Sequence, residues 1–131
     1  MREIKFRMWD SIAGKYFNDV EIVHECLKQQ NNGCYDHEED GAAFEQYTGL
    51  KDKNGVEIYE GDIVKLQKEH SSYYIVEWHD KRGCWIFRYI NRSCEFYTFK
   101  IVSTSGMMPQ VEIIGNIHRN PELLVVKHHN N

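Results

Sequence analysis

The sequence predicts a mainly β protein: a single antiparallel, barrel-like domain with a short C-terminal helical turn. Three observations predict it. Residues 2–9 alternate between apolar and polar side chains with period two, which marks a half-buried strand. From Asn54 onward, turn signals recur between short runs rich in aromatic and β-branched residues, at the spacing of about 8–12 residues found in barrels and sandwiches. Runs this short leave no room for the dozen or so residues that a crossover between parallel strands requires. A chain of 131 residues is one domain by default, and burying roughly 68% of its extended surface supplies a real core.

The elements follow in order. Ile4, Phe6 and Met8 share one strand face, with Lys5, Arg7 and Trp9 on the other. The segment from Asp10 to Lys15 contains Gly14 and reads as a turn, with Lys15-Tyr16-Phe17 as a short return strand. Residues 20–28 fit a helical stripe through Val20, Val23 and Leu27 and a strand face through Val20, Ile22 and His24; the β-branched residues favour a strand. Gln29 to Gly41 is polar and holds Asn31-Asn32-Gly33, a loop signal. Residues 1–45 are thus expected to be the more irregular part and 46–126 the β-rich core. Asn54-Gly55 marks a tight turn because both residues tolerate positive φ. Val56 to Tyr59, Ile63 to Leu66, Tyr73 to His79, Cys84 to Ile90, Glu95 to Val102 and Val111 to Ile114 read as extended. Turns at 60–62, 80–83 and 91–93 separate them, and 103–109 reads as a loop. Asn120 before Pro121 predicts a helical turn through Leu124, with a cap residue followed by proline at the first helical position.

The formal charge is −4 and the pI about 6.0, which argues against coating nucleic acid by bulk charge. No apolar run approaches the ~20 residues of a membrane helix, so no membrane partner is expected. Met1-Arg2-Glu3-Ile4 opens without the apolar stretch of a secretory signal. The expectation is a cytoplasmic protein whose Cys26, Cys34, Cys84 and Cys94 are free thiols. Between Asp36 and Asp62 stand nine carboxylates and two lysines, which reads as a solvated acidic surface.

Catalytic and metal motifs are missing or incomplete. His24, Cys26, Cys34 and His37 are the residue types zinc uses, but no C-x₂-C pair exists, so separate thiols and histidines account for them. His37-Glu38-Glu39 supplies half of a zinc-deaminase signature and lacks the other half. His24-Glu25 lacks the second histidine of a metalloprotease helix. Asp52-Lys53-Asn54-Gly55 places glycine at the fourth rather than the sixth position of a calcium loop. Neither a nucleophile elbow nor a phosphate-cradling glycine loop is present. The expectation is no metal, no cofactor and no enzyme. The segment from Tyr73 to Phe99 is dense in aromatic rings, which mostly build the core. Its alternative use is base stacking, with Trp78 and Trp85 as platforms and Arg82 and Arg88 beside them.

The stretch from Gln46 to Val64, Gln-Tyr-Thr-Gly-Leu-Lys-Asp-Lys-Asn-Gly-Val-Glu-Ile-Tyr-Glu-Gly-Asp-Ile-Val, resembles the YopX family of small phage and prophage proteins. The opening from Arg2 to Asp10 and the ending from Val111 to Leu124 resemble that family too, in the same order and spacing. The loop from Cys34 to Asp40 and the aromatic middle do not carry its pattern. The resemblance implies a largely β protein of phage origin and implies no activity. Tyr59 to Val64 also looks like the entry into the strands of an SH3-like barrel, an analogy at the level of fold.

In the motif, Gly49, Gly55 and Gly61 punctuate turns while Ile58, Ile63 and Val64 bury. Tyr47, Thr48, Asp52, Asn54, Tyr59 and Asp62 are the candidate interaction residues, against the plainer reading that the motif is a folding device. The expected function is a non-enzymatic accessory protein that binds another macromolecule, a protein partner first. A single-stranded nucleic-acid binder and a metal-dependent enzyme are the alternatives. Exposed strand edges leave self-association into a homo-oligomer open.

Overall fold

The computed structural model describes residues 3–19, 21, 23, 25, 42–66, 72–91, 95–104, 106 and 108–124. The chain forms two compact units, Met1–Gly49 and Leu50–Asn131.

In the first unit the alternating opening becomes β1 (Phe6–Asp10), which turns back into β2 (Lys15–Phe17) and pairs on its other side with β3 (Ala42–Lys51). Asp10 shapes the β1–β2 turn: its Oδ1 accepts the amides of Ile12 and Ala13 at 2.9 and 3.0 Å, and Gly14 closes the loop at φ +68°. Register sets Met8 opposite Phe17 and Phe44, and these rings pack with Phe6 and the fully buried Val23. The segment 20–28, read above as a strand, is helical at Glu21, Val23 and Glu25. The reason is a cap: Asp19 Oδ1 accepts the Glu21 amide at 3.0 Å, and the Val23 amide bonds to the Asp19 carbonyl. The boundary placed at residue 45 also falls inside a strand, because β3 runs through it. The loop expected over 29–41 lies outside the described residues.

The second unit is a half-barrel of five antiparallel strands in the order β8-β7-β6-β5-β9. These are β5 (Asp62–Lys65), β6 (Tyr74–His79), β7 (Cys84–Tyr89), β8 (Phe96–Thr98) and β9 (Glu112–Asn116). β4 (Glu57–Tyr59) precedes β5. The segment likened to an SH3-like barrel runs from the last residue of β4, Tyr59, through a turn into β5, which has β6 on one side and β9 on the other. Ile58, Val64, Leu66, Val76, Trp85, Phe87, Val102 and Val111 form the core, and Phe87 stacks on Phe99 at 4.3 Å. β7 lies between two neighbours, and its successive residues Trp85, Ile86 and Phe87 are all buried. Two-sided burial explains why this strand reads as a continuous apolar run.

Two sequence expectations need correction here. Residues 95–102 are not one strand: β8 ends at Thr98 and helix α1 (Phe99–Thr104) begins. Thr98 Oγ1 accepts the Ile101 amide at 3.2 Å, so a residue read as strand caps a helix. The loop expected over 103–109 in turn contains the end of α1 and the start of a 3₁₀ turn, Met108–Gln110. The Asn54-Gly55 turn exists but only Gly55 has positive φ, at +81°. The Gly55 amide bonds to the Asp52 carbonyl at 3.0 Å and the Asp52 amide to the Val56 carbonyl at 2.8 Å. That is a three-residue hairpin loop with one left-handed glycine. The C-terminal helical turn is present as the 3₁₀ segment Pro121–Leu124.

Candidate functional site

The glycine-rich motif builds structure around two buried carboxylates. Asp52 is 7% exposed. Its Oδ1 accepts the amides of Asn54 and Val56, both at 2.9 Å, and its Oδ2 accepts the Ile113 amide at 3.0 Å. The adjacent Lys53 amide bonds to the Val111 carbonyl at 2.8 Å, and Lys53 Nζ lies 3.6 Å from Glu112. The turn therefore fastens onto the outer side of β9. Asp62, 2% exposed, accepts the Tyr59 amide at 2.8 Å and holds the second turn. Gly61, at φ +88°, donates to the Val76 carbonyl and accepts from the Ile117 amide, tying β6 and β9 to this corner.

Of the six motif residues singled out from the sequence, Tyr47, Thr48, Asp52, Tyr59 and Asp62 are buried. Lys5 Nζ lies 4.9 Å from the Tyr47 ring centroid. Asn54 is exposed at the tip of the turn.

The nucleic-acid set is spread over two faces of the sheet. Trp78 and Trp85 are cross-strand partners, edge to face at 5.2 Å, but Trp85 is buried and only Trp78 is exposed. Arg88 alternates to the opposite face, where its guanidinium pairs with Glu77. Arg82 sits in the β6–β7 turn and stands 5.3 Å over the Phe96 ring.

The structure brings together a group that the sequence analysis did not select. Tyr74 and Tyr89 are direct cross-strand partners with ring centroids 5.4 Å apart, and Tyr97 of β8 approaches Tyr74 at 5.8 Å. With Ser72, Glu95 and Phe96 they line an open cleft of about 410 Å³. Tyr97 is 40% exposed. The Tyr89 hydroxyl accepts from Asn91 Nδ2 at 3.2 Å. Burial pushes the Tyr74 phenol above its ordinary range, and Tyr97, Tyr89 and Glu95 push it further. Sequence held a usable signal. Closing the hairpin at 80–83 pairs Tyr74 with Tyr89 on the face that also carries Val76 and Phe87.

A second polar cluster lies in the first unit. Glu45, 4% exposed, sits opposite Arg7 in the β1–β3 register. Its Oε1 accepts from Arg7 Nε and from the Tyr16 hydroxyl, both at 2.9 Å, and the Arg7 guanidinium lies 4.3 Å over the Tyr16 ring. Burial raises the Glu45 carboxyl above its ordinary range, while Arg7 and the two hydrogen bonds pull it back. The salt bridge and bonds are local and satisfied, so the cluster is a fastening between β1, β2 and β3.

Among the described residues, no group of three or more His, Cys, Asp or Glu side chains could hold a metal ion, and no helix is long and apolar enough to cross a membrane. His24, Cys26, Cys34 and His37, the residues weighed for zinc, lie outside the described residues, and Cys84 is a free thiol.

The family profile described as YopX protein matches residues 5–125. The chain belongs to the YopX family. The match runs from the first strand through the C-terminal 3₁₀ turn, so it takes in most of both units of this YopX chain. Among solved structures, the crystal structure of protein EF1440 from Enterococcus faecalis is similar, with 25% identity and a TM-score of 0.56. The likeness covers 95% of this YopX chain and all of the other. None of the curated proteins matches it.

Proposed function

We propose that this YopX protein is a non-enzymatic accessory protein of a phage or prophage, working in the host cytoplasm as a module that binds another protein. The observation that supports this is the difference between the two borders of the half-barrel sheet. At β9 the border is covered, because Asp52 and Lys53 bond to it. At β8 the strand order among the described residues ends with one neighbour, β7, and the exposed Tyr97 stands there beside the cleft. An open edge offers backbone donors and acceptors to an extended segment, and adjoining rings supply contact area. The buried motif then serves as the fastening that covers the β9 border.

Affinity capture with the full chain from cells carrying the prophage tests the reading. The wild-type chain should retain a defined protein that a Tyr97→Lys variant loses and an Asn54→Arg variant keeps. Loss on Asn54→Arg alone would move the interface to the motif turn. Recovery of a second copy of this chain would make the module a homo-oligomer. Equal recovery by all three chains, or none, would refute the proposal.

A further inference from the structure

We propose that Asn54-Gly55 is a self-modification site: a residue pair that loses ammonia and becomes aspartyl- or isoaspartyl-glycine once the turn held by Asp52 opens.

The reaction needs only this pair and water. The Gly55 backbone nitrogen gives its proton to solvent and attacks Cγ of Asn54. The bond from Cγ to the side-chain nitrogen breaks, and that nitrogen takes up a proton and leaves as ammonia. Water then opens the resulting five-membered imide at either carbonyl, which leaves aspartate or isoaspartate at position 54. No oxidant or reductant is involved.

Three observations carry the assignment. First, access is open. Asn54 and Gly55 are both exposed, and nothing lies within 4 Å of the point where a Cβ on Gly55 would stand. Glycine also lacks the side chain that shields the attacking nitrogen in other sequences. Second, the nitrogen is engaged. The Gly55 N–H donates to the Asp52 carbonyl at 3.0 Å, so the proton that must leave is held. Third, the closed turn has the wrong torsion. A hydrogen bond from residue 55 to residue 52, with positive φ in this loop at Gly55 alone, makes Lys53 and Asn54 the centre of a type I turn, where ψ at Asn54 is about 0°. Ring closure instead needs the Gly55 nitrogen to swing round until it eclipses the Asn54 Cβ.

The bonds that prevent this swing converge on one residue. Asp52 Oδ1 accepts the amides of Asn54 and Val56, and its Oδ2 accepts that of Ile113. Opening the turn therefore frees Asn54 and Gly55 together. Conversion then places a second carboxylate beside Asp52. The isoaspartyl form also adds a methylene to the backbone between residues 54 and 55, so the 52–55 hydrogen bond does not re-form as before. A chain that has opened here keeps a chemical record of it.

The test incubates the full chain in mildly alkaline buffer, folded and in urea, and follows Asn54 by peptide mass mapping with isoaspartyl quantification. Asn32-Gly33, the other such pair in the sequence, is read in the same digest as an internal reference. In urea the two pairs should convert at similar rates. In the folded chain Asn54 should convert at least about tenfold more slowly than in urea, because more than one hydrogen bond must open first. Asp52→Ala should restore the folded rate severalfold. Wild type in urea below its unfolding transition guards against a variant that misfolds: Asn54 conversion should rise with amide exchange at Gly55 while tryptophan fluorescence stays native. Equal rates at Asn54 in folded and unfolded chains, no gain in a folded Asp52→Ala chain, or conversion that begins only with global unfolding would overturn the proposal.

Discussion

Replacing Asp52 by alanine removes one buried carboxylate and three hydrogen bonds at once. The lost bonds run to the amides of Asn54, Val56 and Ile113. They do not weigh equally. Val56 is 52% exposed and Asn54 is exposed, so their amides recover water when the carboxylate goes. Ile113 is half-buried in β9, and its orphaned amide costs about 1–3 kcal/mol. The two turn amides add about 0.5–1 kcal/mol each, giving roughly 2–5 kcal/mol in all. For a chain of this size that lowers Tm by roughly 6–15 °C. Asp52→Asn should fall between the two, because its carbonyl oxygen still serves the turn while its amide group opposes the Ile113 N–H. Urea unfolding followed by tryptophan fluorescence gives the free energy, and amide exchange at Ile113 and Lys53 gives the location. A loss below about 0.5 kcal/mol, or unchanged protection at Ile113, would refute the claim that this turn secures β9.

Gly55→Ala puts a Cβ on a residue at φ +81° with nothing within 4 Å, so its cost is purely backbone strain, about 1–2 kcal/mol by urea unfolding. Gly115→Ala meets a different obstacle: its Cβ would lie 2.5 Å from Asn120 Oδ1, the acceptor of the Asn116 amide. It should cost about 1–3 kcal/mol and release protection at Asn116, seen by amide exchange. Glu45 carries a pH signature. Its folded pKa lies above the ordinary 4.5, so the folded chain binds this proton more tightly than the unfolded chain. Its contribution is therefore complete below 4.5 and is lost as pH rises through the raised folded value. Glu45→Gln should flatten that slope in urea unfolding across pH 4.5 upward, while lowering stability near neutrality because Arg7 loses its carboxylate; an unchanged slope would show that Glu45 is not the titrating group.

What was legible in the sequence is what local chemistry decides. β6 and β7 are β-branched and aromatic runs around a glycine-closed turn, and they lie where the pattern places them. The glycine corners at 55 and 61 are real because a left-handed residue is needed there. What was not legible depends on partners remote in sequence. Ala42–Lys51 has weak alternation of its own and becomes a strand through its register with β1, more than thirty positions earlier by the Asp10–Ala42 pair. Asp19 and Thr98 were readable as caps, yet the β-branched residues that follow each drew the assignment toward strand. The motif's candidate residues were visible as a cluster, but the hidden placement of Asp52 and Asp62 follows from backbone amides that no spacing rule reveals. The tyrosine cleft required knowing which residues of two hairpins face each other.

The bond from Asp52 to Ile113 spans sixty-one positions, and it sets an order of events during synthesis. A ribosome releases the 52–56 loop long before the segment that will need it, so for that interval the carboxylate has only its two local amides. β5 waits likewise, zipped to β6 but bare along its other flank until β9 emerges. A nascent chain halted short of residue 112 should expose that flank and behave as a sticky intermediate, rescued only when the last strand arrives.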